Sequence, residues 1–321
     1  MTESLVIADV FARDGLQSLA WNEGTPPLTT EEKVEIVRRL DAAGVPEIEV
    51  TGFVHPRVVP NLADADEVAR LSREVVTRAT LRALVPNLRG AERAMDAGLE
   101  KVSCLIVASE TYQRMNSNMS VDENLLQIER IVDLAARSGV EVMVGLGMSF
   151  ICPYEGLVPE QRILRLVESM VNLGISDIVL ADSIGLAWPA LVQERCEAIR
   201  HRWPHVSIGL HLHTLAGLGL ASALAGYAVG VRHFDASVGG VGGGIRMPVP
   251  ATTMSNVATE DLIYLFESSG IPTGIDPVAL SEAAMHVRRR TGVGSGHVSA
   301  FGSLERFFEV SRGSLPEAPP E

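Results

Sequence analysis

The segment Ile208–Thr214 has the sequence Ile-Gly-Leu-His-Leu-His-Thr, which predicts a buried β-strand that ends in two histidines. Because side chains alternate between the two faces of a strand, His211 and His213 point to one side and Leu212 to the other. Two neighbouring imidazoles can bind one divalent cation when oxygen ligands come from other parts of the chain. Taken alone, the pair is explained more simply as two hydrogen-bonded histidines. Whether it binds a metal therefore has to be judged from the rest of the chain.

Similar strands recur along the chain, each a few residues after a glycine that ends a predicted helix. Glycine after a helix, followed by an aliphatic run, is typical of the αβ half of a βα unit. The chain contains eight strand candidates: Leu5–Val10, Glu47–Phe53, Thr80–Val85, Val102–Val107, Val140–Gly147, Asp177–Ala181, Val206–His213 and Arg232–Val238. The predicted helices between them include Thr30–Ala43, Val121–Ser138, Pro159–Leu173, Pro189–Arg202 and Gly217–Val229. Thr29 and Glu32 have the spacing of a capping box at the start of the first.

Eight alternating units in 321 residues favour a (β/α)8 TIM barrel over a doubly wound sheet. The turn after the first strand, Ala12–Gly15, lacks the G-x-G-x-x-G fingerprint of a dinucleotide-binding sheet. Two further helices, Thr259–Ser268 and Pro277–Arg289, follow the eighth strand. The segment Gly313–Glu321 is rich in Pro and Glu, which predicts a disordered tail. We therefore predict a single barrel domain over residues 1–312, with extra C-terminal helices.

Composition narrows the classes of partner. The chain is 46% hydrophobic but only 5% aromatic, which predicts an aliphatic core. A net charge of −13 argues against nucleic acid or an anionic membrane as a partner, although local arginines could still bind a phosphorylated ligand. The three cysteines are widely spaced, and the N-terminus has no basic region followed by an apolar run. We expect a cytoplasmic protein without disulfides or a membrane span.

Polar residues collect where the predicted strands end. Catalytic groups of a (β/α)8 barrel lie at the C-terminal ends of its strands, so residues far apart in sequence should converge on one mouth. In chain order the candidates are Arg13, Asp14, Gln17, Glu49, Thr51, Asn87, Asp182, Ser183, His211, His213, the glycine-rich segment 239–244 and Asn256. This convergence favours a metal site over an isolated histidine pair.

Several of these segments resemble, in the same order, the motifs of the metal-dependent lyases and Claisen-type synthases built on barrels. The resemblance is strongest to 3-hydroxy-3-methylglutaryl-CoA lyase and covers nearly the whole barrel. The segments that carry it are Arg13–Gln17, Ile48–Val54, Val85–Gly90, Cys152–Gly156, Ala181–Gly185, His211–His213 and Asn256–Leu262. Such a series is highly specific for the superfamily and less specific for the substrate.

The resemblance implies that Asp14, His211, His213 and Asn256 bind one divalent metal. Two imidazoles, a carboxylate and an amide oxygen suit Mg²⁺ or Mn²⁺ better than Zn²⁺. The simpler interpretation of Asp14 is a turn cap, and that of Asn256 an N-cap of the following helix. Neither accounts for the set as a whole.

The reaction implied is the retro-Claisen cleavage of a 3-hydroxyacyl thioester, such as 3-hydroxy-3-methylglutaryl-CoA, to acetyl-CoA and an oxo acid. By analogy His211 would be the base, assisted through Asp14 or Glu49, and Arg13 would stabilise the enolate oxygen. Asp182 and Glu49 would orient the metal ligands and Arg13. The expected substrate-binding residues are Arg13, Gln17, Asn87, Ser183 and Arg246. The family also suggests a homodimer.

The chain departs from the family where the acid that protonates the enolate is expected. Gly244 takes the place of a loop cysteine, Ala20 lies near the place of a lysine, and Thr214 replaces an acidic residue. Three interpretations therefore stay open. The first, which we prefer, is a metal-dependent carbon–carbon lyase that uses water or another proton donor on a hydroxyacyl substrate other than the family's usual one. The others are a metal-dependent aldolase or Claisen condensation enzyme acting on a 2-oxo acid, and a non-catalytic descendant that retains the metal site.

Overall fold

Eight parallel strands close into a barrel in this computed structural model, which describes residues 5–17, 19, 26–244, 255–294, 297 and 308–310. The barrel strands are β1 (Val6–Asp9), β2 (Glu47–Gly52), β3 (Thr80–Leu84), β4 (Lys101–Val107), β5 (Glu141–Gly147), β8 (Asp177–Asp182), β9 (Ser207–Leu212) and β10 (His233–Ala236). A short antiparallel hairpin, β6 (Ile151–Cys152) with β7 (Gly156–Leu157), lies in the loop after β5. The order around the barrel is β1-β10-β9-β8-β5-β4-β3-β2, and β2 closes against β1. The predicted (β/α)8 barrel is confirmed.

All eight predicted strands are present, and no strand end differs from its predicted position by more than two residues. The strand predicted to end at His213 ends at Leu212, and His213 instead forms an isolated antiparallel bridge with Asn256. This bridge brings a residue from beyond the eighth barrel strand next to the histidine pair. The backbone itself thus begins to assemble the predicted site.

Ten helices are described: α1 (Thr30–Ala42), α2 (Ala65–Val75), α3 (Leu88–Asp96), α4 (Glu110–Ser117), α5 (Val121–Ser138), α6 (Glu160–Asn172), α7 (Pro189–Arg202), α8 (Gly219–Ala228), α9 (Thr259–Ser268) and α10 (Pro277–Thr291). The capping box of α1 is formed, because Thr29 accepts from the Glu32 amide and Glu32 accepts from the Thr29 amide. The C-terminal helices α9 and α10 are present as predicted. The helices that the sequence analysis did not delimit are α2, α3 and α4.

Aliphatic side chains fill the layer between strands and helices, whereas charged side chains fill the barrel interior. On β2, Ile48 and Val50 belong to the apolar core, while Glu47 and Glu49 contact charged groups of neighbouring strands. Arg82 of β3 is fully buried and pairs with Glu47 and with Asp235, whose Oδ1 lies 2.7 Å from Nη2. Buried charges are tolerated when they are paired and hydrogen-bonded. The prediction of an aliphatic core therefore holds for the outer layer alone.

Asp9 joins the end of β1 to the C-terminal helices. Its Oδ2 accepts from the Val238 amide at 2.8 Å and from the Thr259 hydroxyl at 2.6 Å. Burial raises the pKa of Asp9 to about 6. This contact holds the start of the glycine-rich segment against α9.

The three cysteines are free and buried, as expected from their spacing. No described helix combines the length and apolar character that crossing a bilayer requires. The predicted tail, Gly313–Glu321, and the domain end at residue 312 lie outside the described residues.

Candidate metal centre and active site

The C-terminal ends of the barrel strands surround a cavity of about 550 Å³. Arg13 and Asp14 reach it from the turn Phe11–Gly15 after β1, while His211 and His213 reach it from the end of β9. One ligand atom from each of Asp14, His211 and His213 lies within 4.8 Å of the other two. The predicted convergence of these three residues is therefore present in the fold.

The hydrogen bonds of the two histidines fix their tautomers. His211 Nδ1 lies 3.2 Å from Asp235 Oδ2, and His213 Nδ1 lies 2.9 Å from the Ser183 carbonyl oxygen. A carboxylate and a carbonyl can only accept, so each Nδ1 carries a hydrogen, and in the neutral form of either ring Nε2 keeps its lone pair. Burial, and then the neighbouring His211, lower the pKa of His213 to about 4, so this ring is neutral at pH 7.

The two Nε2 atoms face each other at 3.1 Å. Two neutral rings have no hydrogen to share at this contact. Burial lowers the pKa of His211, but the hydrogen bond to Asp235 and the negative charge of Asp14 outweigh it and raise the pKa, so that in the absence of a cation a proton on His211 can bridge the two rings. Adjacent ligands of an octahedral Mg²⁺ lie about 3.0 Å apart, because each bond is about 2.1 Å long. Asp14 Oδ2 lies 3.9 Å from His213 Nε2 and adds the negative charge that a cation requires. The donor set therefore fits a divalent metal, and without the metal the short contact between the two histidines requires a proton on His211.

Asp14 is held ionised although it is buried. Burial alone would raise its pKa, but Arg13 and the two histidines keep the pKa below the ordinary value. Its Oδ1 accepts from Arg13 Nη1 at 2.5 Å and from Gln17 Nε2 at 2.6 Å. Gln17 was predicted to bind substrate, and the structure adds a second task for it, the orientation of Asp14.

Asn256 lies beside Asp14 and does not cap the helix that follows. Helix α9 begins three residues later, and the buried Asn256 amide donates to Asp14 Oδ2 at 2.7 Å and to the Val241 carbonyl at 3.1 Å. A side-chain amide presents either its nitrogen or its oxygen to the same point after a half turn. Asn256 is thus placed to offer its oxygen to a cation bound by the histidines.

The glycine-rich segment packs directly on these ligands. Gly242 has φ +137, and a Cβ there would lie 2.1 Å from Asn256 Nδ2 and 2.9 Å from Asp14 Oδ2. Real Cβ contacts are never this short, so a side chain at this position would displace the two candidate ligands. Glycine is required here by the close approach of the loop to the metal centre.

Arg13 connects the metal centre to Glu49. Its Nη1 donates to Asp14, and its Nε donates to Glu49 Oε2 at 2.5 Å. Burial lowers the pKa of Arg13, but Glu49 and Asp14 outweigh it and raise the pKa further. Glu49 also accepts from the Ser103 hydroxyl at 2.5 Å through Oε1. Arg13 thus remains a cation at the cavity wall, paired with Asp14 and Glu49.

The other predicted residues fall into three groups. Asp182 accepts hydrogen bonds from the backbone amides of Gly185, Leu186 and Ala187. Its carboxylate therefore holds the loop after β8 and does not orient Arg13. Burial raises the pKa of Asp182 to about 6. Asn87 and Ser183 line the cavity, but Asn87 also caps α3 and Ser183 accepts from the Met148 amide. Arg246 lies outside the described residues.

Sequence reasoning missed Asp235, Arg82 and Ser103. Asp235 bonds the candidate ligand His211, Arg82 bonds Asp235, and Ser103 bonds Glu49. A signal was present, because polar residues recur at every second position of the aliphatic strands, as in Glu47 and Glu49 on β2. That period indicates a polar barrel interior, but it does not reveal which groups contact each other.

Comparison with known proteins relates this chain to a family of enzymes. The family model described as HMGL-like matches residues 4–287. The chain is 40% identical over 291 residues to an (R)-citramalyl-CoA lyase of Chloroflexus aurantiacus, covering 88% of this chain and 89% of that protein. It is 36% identical over 292 residues to a hydroxymethylglutaryl-CoA lyase of Bacillus subtilis, covering 90% and 94%. An HMG-CoA lyase of Acinetobacter baumannii, solved with coenzyme A and 3-methylmalate, superposes with a TM-score of 0.83 at 31% identity, covering 100% and 99%.

Proposed function

The chain belongs to the HMGL-like family, and from this premise we propose that it is a divalent-metal-dependent carbon–carbon lyase that cleaves a 3-hydroxyacyl-CoA to acetyl-CoA and an oxo acid. One observation carries the proposal. Two buried histidines, whose Nδ1 atoms contact Asp235 and the Ser183 carbonyl, face each other through Nε2 at 3.1 Å beside an ionised Asp14. Such a site favours a cation, and its position at the C-terminal mouth of a barrel is where chemistry takes place.

We assign the metal to Asp14, His211, His213 and Asn256. The mixture of two nitrogen and two oxygen donors favours Mg²⁺ or Mn²⁺, and it leaves coordination positions for oxygens of the substrate. When bound, the metal supplies Lewis acidity, which makes the substrate hydroxyl easier to deprotonate. The remaining steps are tasks for the side chains around it.

Glu49 is the better candidate for the proton acceptor than His211. The Nδ1 hydrogen of His211 points to Asp235, so Nε2 holds the only lone pair of the ring, and that lone pair is needed for the metal. Two carboxylates of the described cavity wall are not assigned to the metal, Glu49 and Asp235, and Asp235 already binds His211 and Arg82. We therefore transfer to Glu49 the role of base that the resemblance gave to His211.

The cleavage itself needs a cation near the thioester. When the hydroxyl proton moves to Glu49, the bond between C2 and C3 breaks, C3 becomes a carbonyl, and the electron pair moves to the thioester oxygen as an enolate. Arg13 is permanently charged and lines the cavity, so it stabilises this oxygen. A proton must then return to C2, and because Gly244 has no side chain to supply it, we assign this step to water or to another group of the cavity.

We propose that the substrate is a 3-hydroxyacyl-CoA whose acyl group carries a free carboxylate in addition to the thioester. The names of the relatives specify citramalyl-CoA and hydroxymethylglutaryl-CoA, whose acyl groups both carry a tertiary hydroxyl and a carboxylate. The cavity of about 550 Å³ is large enough to hold such an acyl group and part of its carrier. We further propose that the protein is a cytoplasmic homodimer, as the family resemblance suggests, and light scattering of the purified protein tests the dimer.

An activity assay with both acyl-CoA compounds tests the function. Purified protein with Mg²⁺ or Mn²⁺ is expected to release acetyl-CoA from one of them, and excess chelator should abolish the release. His213→Ala should abolish it too, whereas the exposed His201→Ala should leave it unchanged. Release that persists in chelator would contradict the metal-dependent mechanism. Condensation of acetyl-CoA with a 2-oxo acid, without cleavage, would favour the Claisen condensation enzyme.

A further inference from the structure

We propose that Asp235 is a positioning residue of the metal centre, which holds His211 in the tautomer that leaves Nε2 free for the cation. The inference rests on the proposed function in that it assigns His211 to the metal. It goes beyond that function because it identifies a residue outside the ligand set on which metal binding depends. Asp235 lies on the strand next to His211 and was not among the residues expected from the sequence.

The strand register places Asp235 beside His211. Strands β10 and β9 pair in parallel with Asp235 opposite His211, so both side chains project into the barrel at the same level. Asp235 is 6% exposed, and its Oδ2 lies 3.2 Å from His211 Nδ1. The contact therefore follows from the sheet geometry and does not depend on a flexible loop.

The other oxygen of Asp235 is occupied by Arg82. Asp235 Oδ1 accepts from Arg82 Nη2 at 2.7 Å and lies 3.3 Å from His233 Nε2. Arg82 is completely buried and is held from the opposite side by Glu47. A guanidinium can only donate, so whatever residue stands at 235 must present an acceptor to Arg82. The orientation of the residue 235 side chain is thus fixed by the barrel interior.

The two histidines differ in how their tautomers are fixed. His213 Nδ1 donates to a backbone carbonyl, which no substitution removes, whereas His211 Nδ1 depends on a single side chain. In Asp235→Asn the amide oxygen must face Arg82, so the amide NH2 faces His211. His211 Nδ1 must then accept, its hydrogen moves to Nε2, and that hydrogen points at His213 Nε2, 3.1 Å away. The result is a hydrogen bond between the two histidines in the place of the cation.

Two measurements on Asp235→Asn test this inference. Titration calorimetry with Mn²⁺ is expected to show binding at least about 10–100-fold weaker than in the wild type, the usual effect of removing a partner that orients a metal-ligating histidine. The ¹⁵N spectrum of the histidine side chains, recorded on metal-free protein at a pH at which His211 is neutral, is expected to show hydrogen on Nδ1 of His211 in the wild type and on Nε2 in the variant. The spectrum detects the tautomer directly, which a merely structural role of Asp235 would not change.

Glu47→Gln is the matched control, because Glu47 also bonds Arg82 inside the barrel but does not contact His211. It should bind Mn²⁺ nearly as well as the wild type does. Wild-type His211 with its hydrogen on Nε2 would overturn the inference even if Asp235→Asn failed to fold. So would an Asp235→Asn protein with wild-type Mn²⁺ affinity. Wild-type protein that binds no Mn²⁺ but has the expected tautomers would instead refute the proposed function and leave the positioning role of Asp235 in place.

Discussion

Replacing Gly242 by alanine should weaken the metal centre without removing any of its ligands. The new Cβ would stand 2.1 Å from Asn256 Nδ2 and 2.9 Å from Asp14 Oδ2, so either the loop or these side chains must move. The position also has φ +137, a backbone conformation in which a non-glycine residue costs about 1–3 kcal/mol. The substitution therefore has two separable effects, a general loss of stability and a specific displacement of Asn256 and Asp14.

The two effects differ in size and in the measurement that detects them. Moving Asn256 breaks its hydrogen bonds to Asp14 and to the Val241 carbonyl, each worth about 0.5–1.5 kcal/mol or more. These bonds contribute to the stability of the metal-free protein. If displacement of the Asn256 and Asp14 oxygens costs metal binding about 1.4–2.7 kcal/mol, the Kd for Mn²⁺ rises about 10–100-fold. Calorimetric titration measures this directly, and thermal or chemical unfolding measures the loss of stability.

Gly270→Ala is the control, because Gly270 has φ +74 but a Cβ there would meet nothing within 4 Å. It should lower the free energy of unfolding by a comparable amount and leave Mn²⁺ binding unchanged. If Gly242→Ala binds Mn²⁺ as well as Gly270→Ala does, the packing of the loop on the ligands is not what places them, and the reasoning is refuted.

Three further predictions follow from other contacts. Glu49→Gln should lower kcat about 10²–10⁴-fold while Mn²⁺ still binds, because Glu49 accepts the hydroxyl proton but is not a metal ligand. A kcat near that of the wild type in steady-state assays would exclude this role. Gly244→Cys should accelerate turnover if protonation of the enolate limits the rate, and a rate equal to that of the wild type would indicate that another donor already suffices. Asp41→Ala should lower the free energy of unfolding at pH 7 by about 2–4 kcal/mol, because Asp41 accepts from the Thr77, Arg78 and Ala79 amides. Burial would raise the pKa of Asp41, but these hydrogen bonds hold it below its ordinary value. The difference in free energy of unfolding between wild type and variant should therefore shrink as the pH falls below about 4. A difference that persisted in acid would contradict the argument.

Most of the fold could be predicted from the sequence because each strand has a recognisable local sequence pattern. A run such as Asp177–Leu180 is aliphatic, short and preceded by a glycine, and eight repeats of this pattern leave few arrangements other than a barrel. Strand ends were less certain, because a residue such as His213 can belong to the strand or to the loop that follows. In the structure His213 lies beyond the end of β9, where it forms a bridge with Asn256 from a distant part of the chain.

The candidate site was predicted in part, and the missing part depends on contacts between strands. Asp14 and the histidines could be found because their types and their places at strand ends point to a metal. Asp235 could not, because its task depends on the register of β10 against β9, which no local pattern specifies. Asp182 was assigned to the site but holds a loop instead. A carboxylate at the end of a strand can either face the cavity or cap the following loop, and the sequence spacing does not distinguish the two.

Diffraction from crystals grown with Mn²⁺, recorded near the manganese absorption edge, tests the central claim most directly. We predict one strong anomalous peak at the barrel mouth, within bonding distance of Nε2 of His211, Nε2 of His213 and a carboxylate oxygen of Asp14, with the Asn256 amide oxygen turned toward it. Protein that cleaves an acyl-CoA while the two histidines remain without a bound metal would contradict the account.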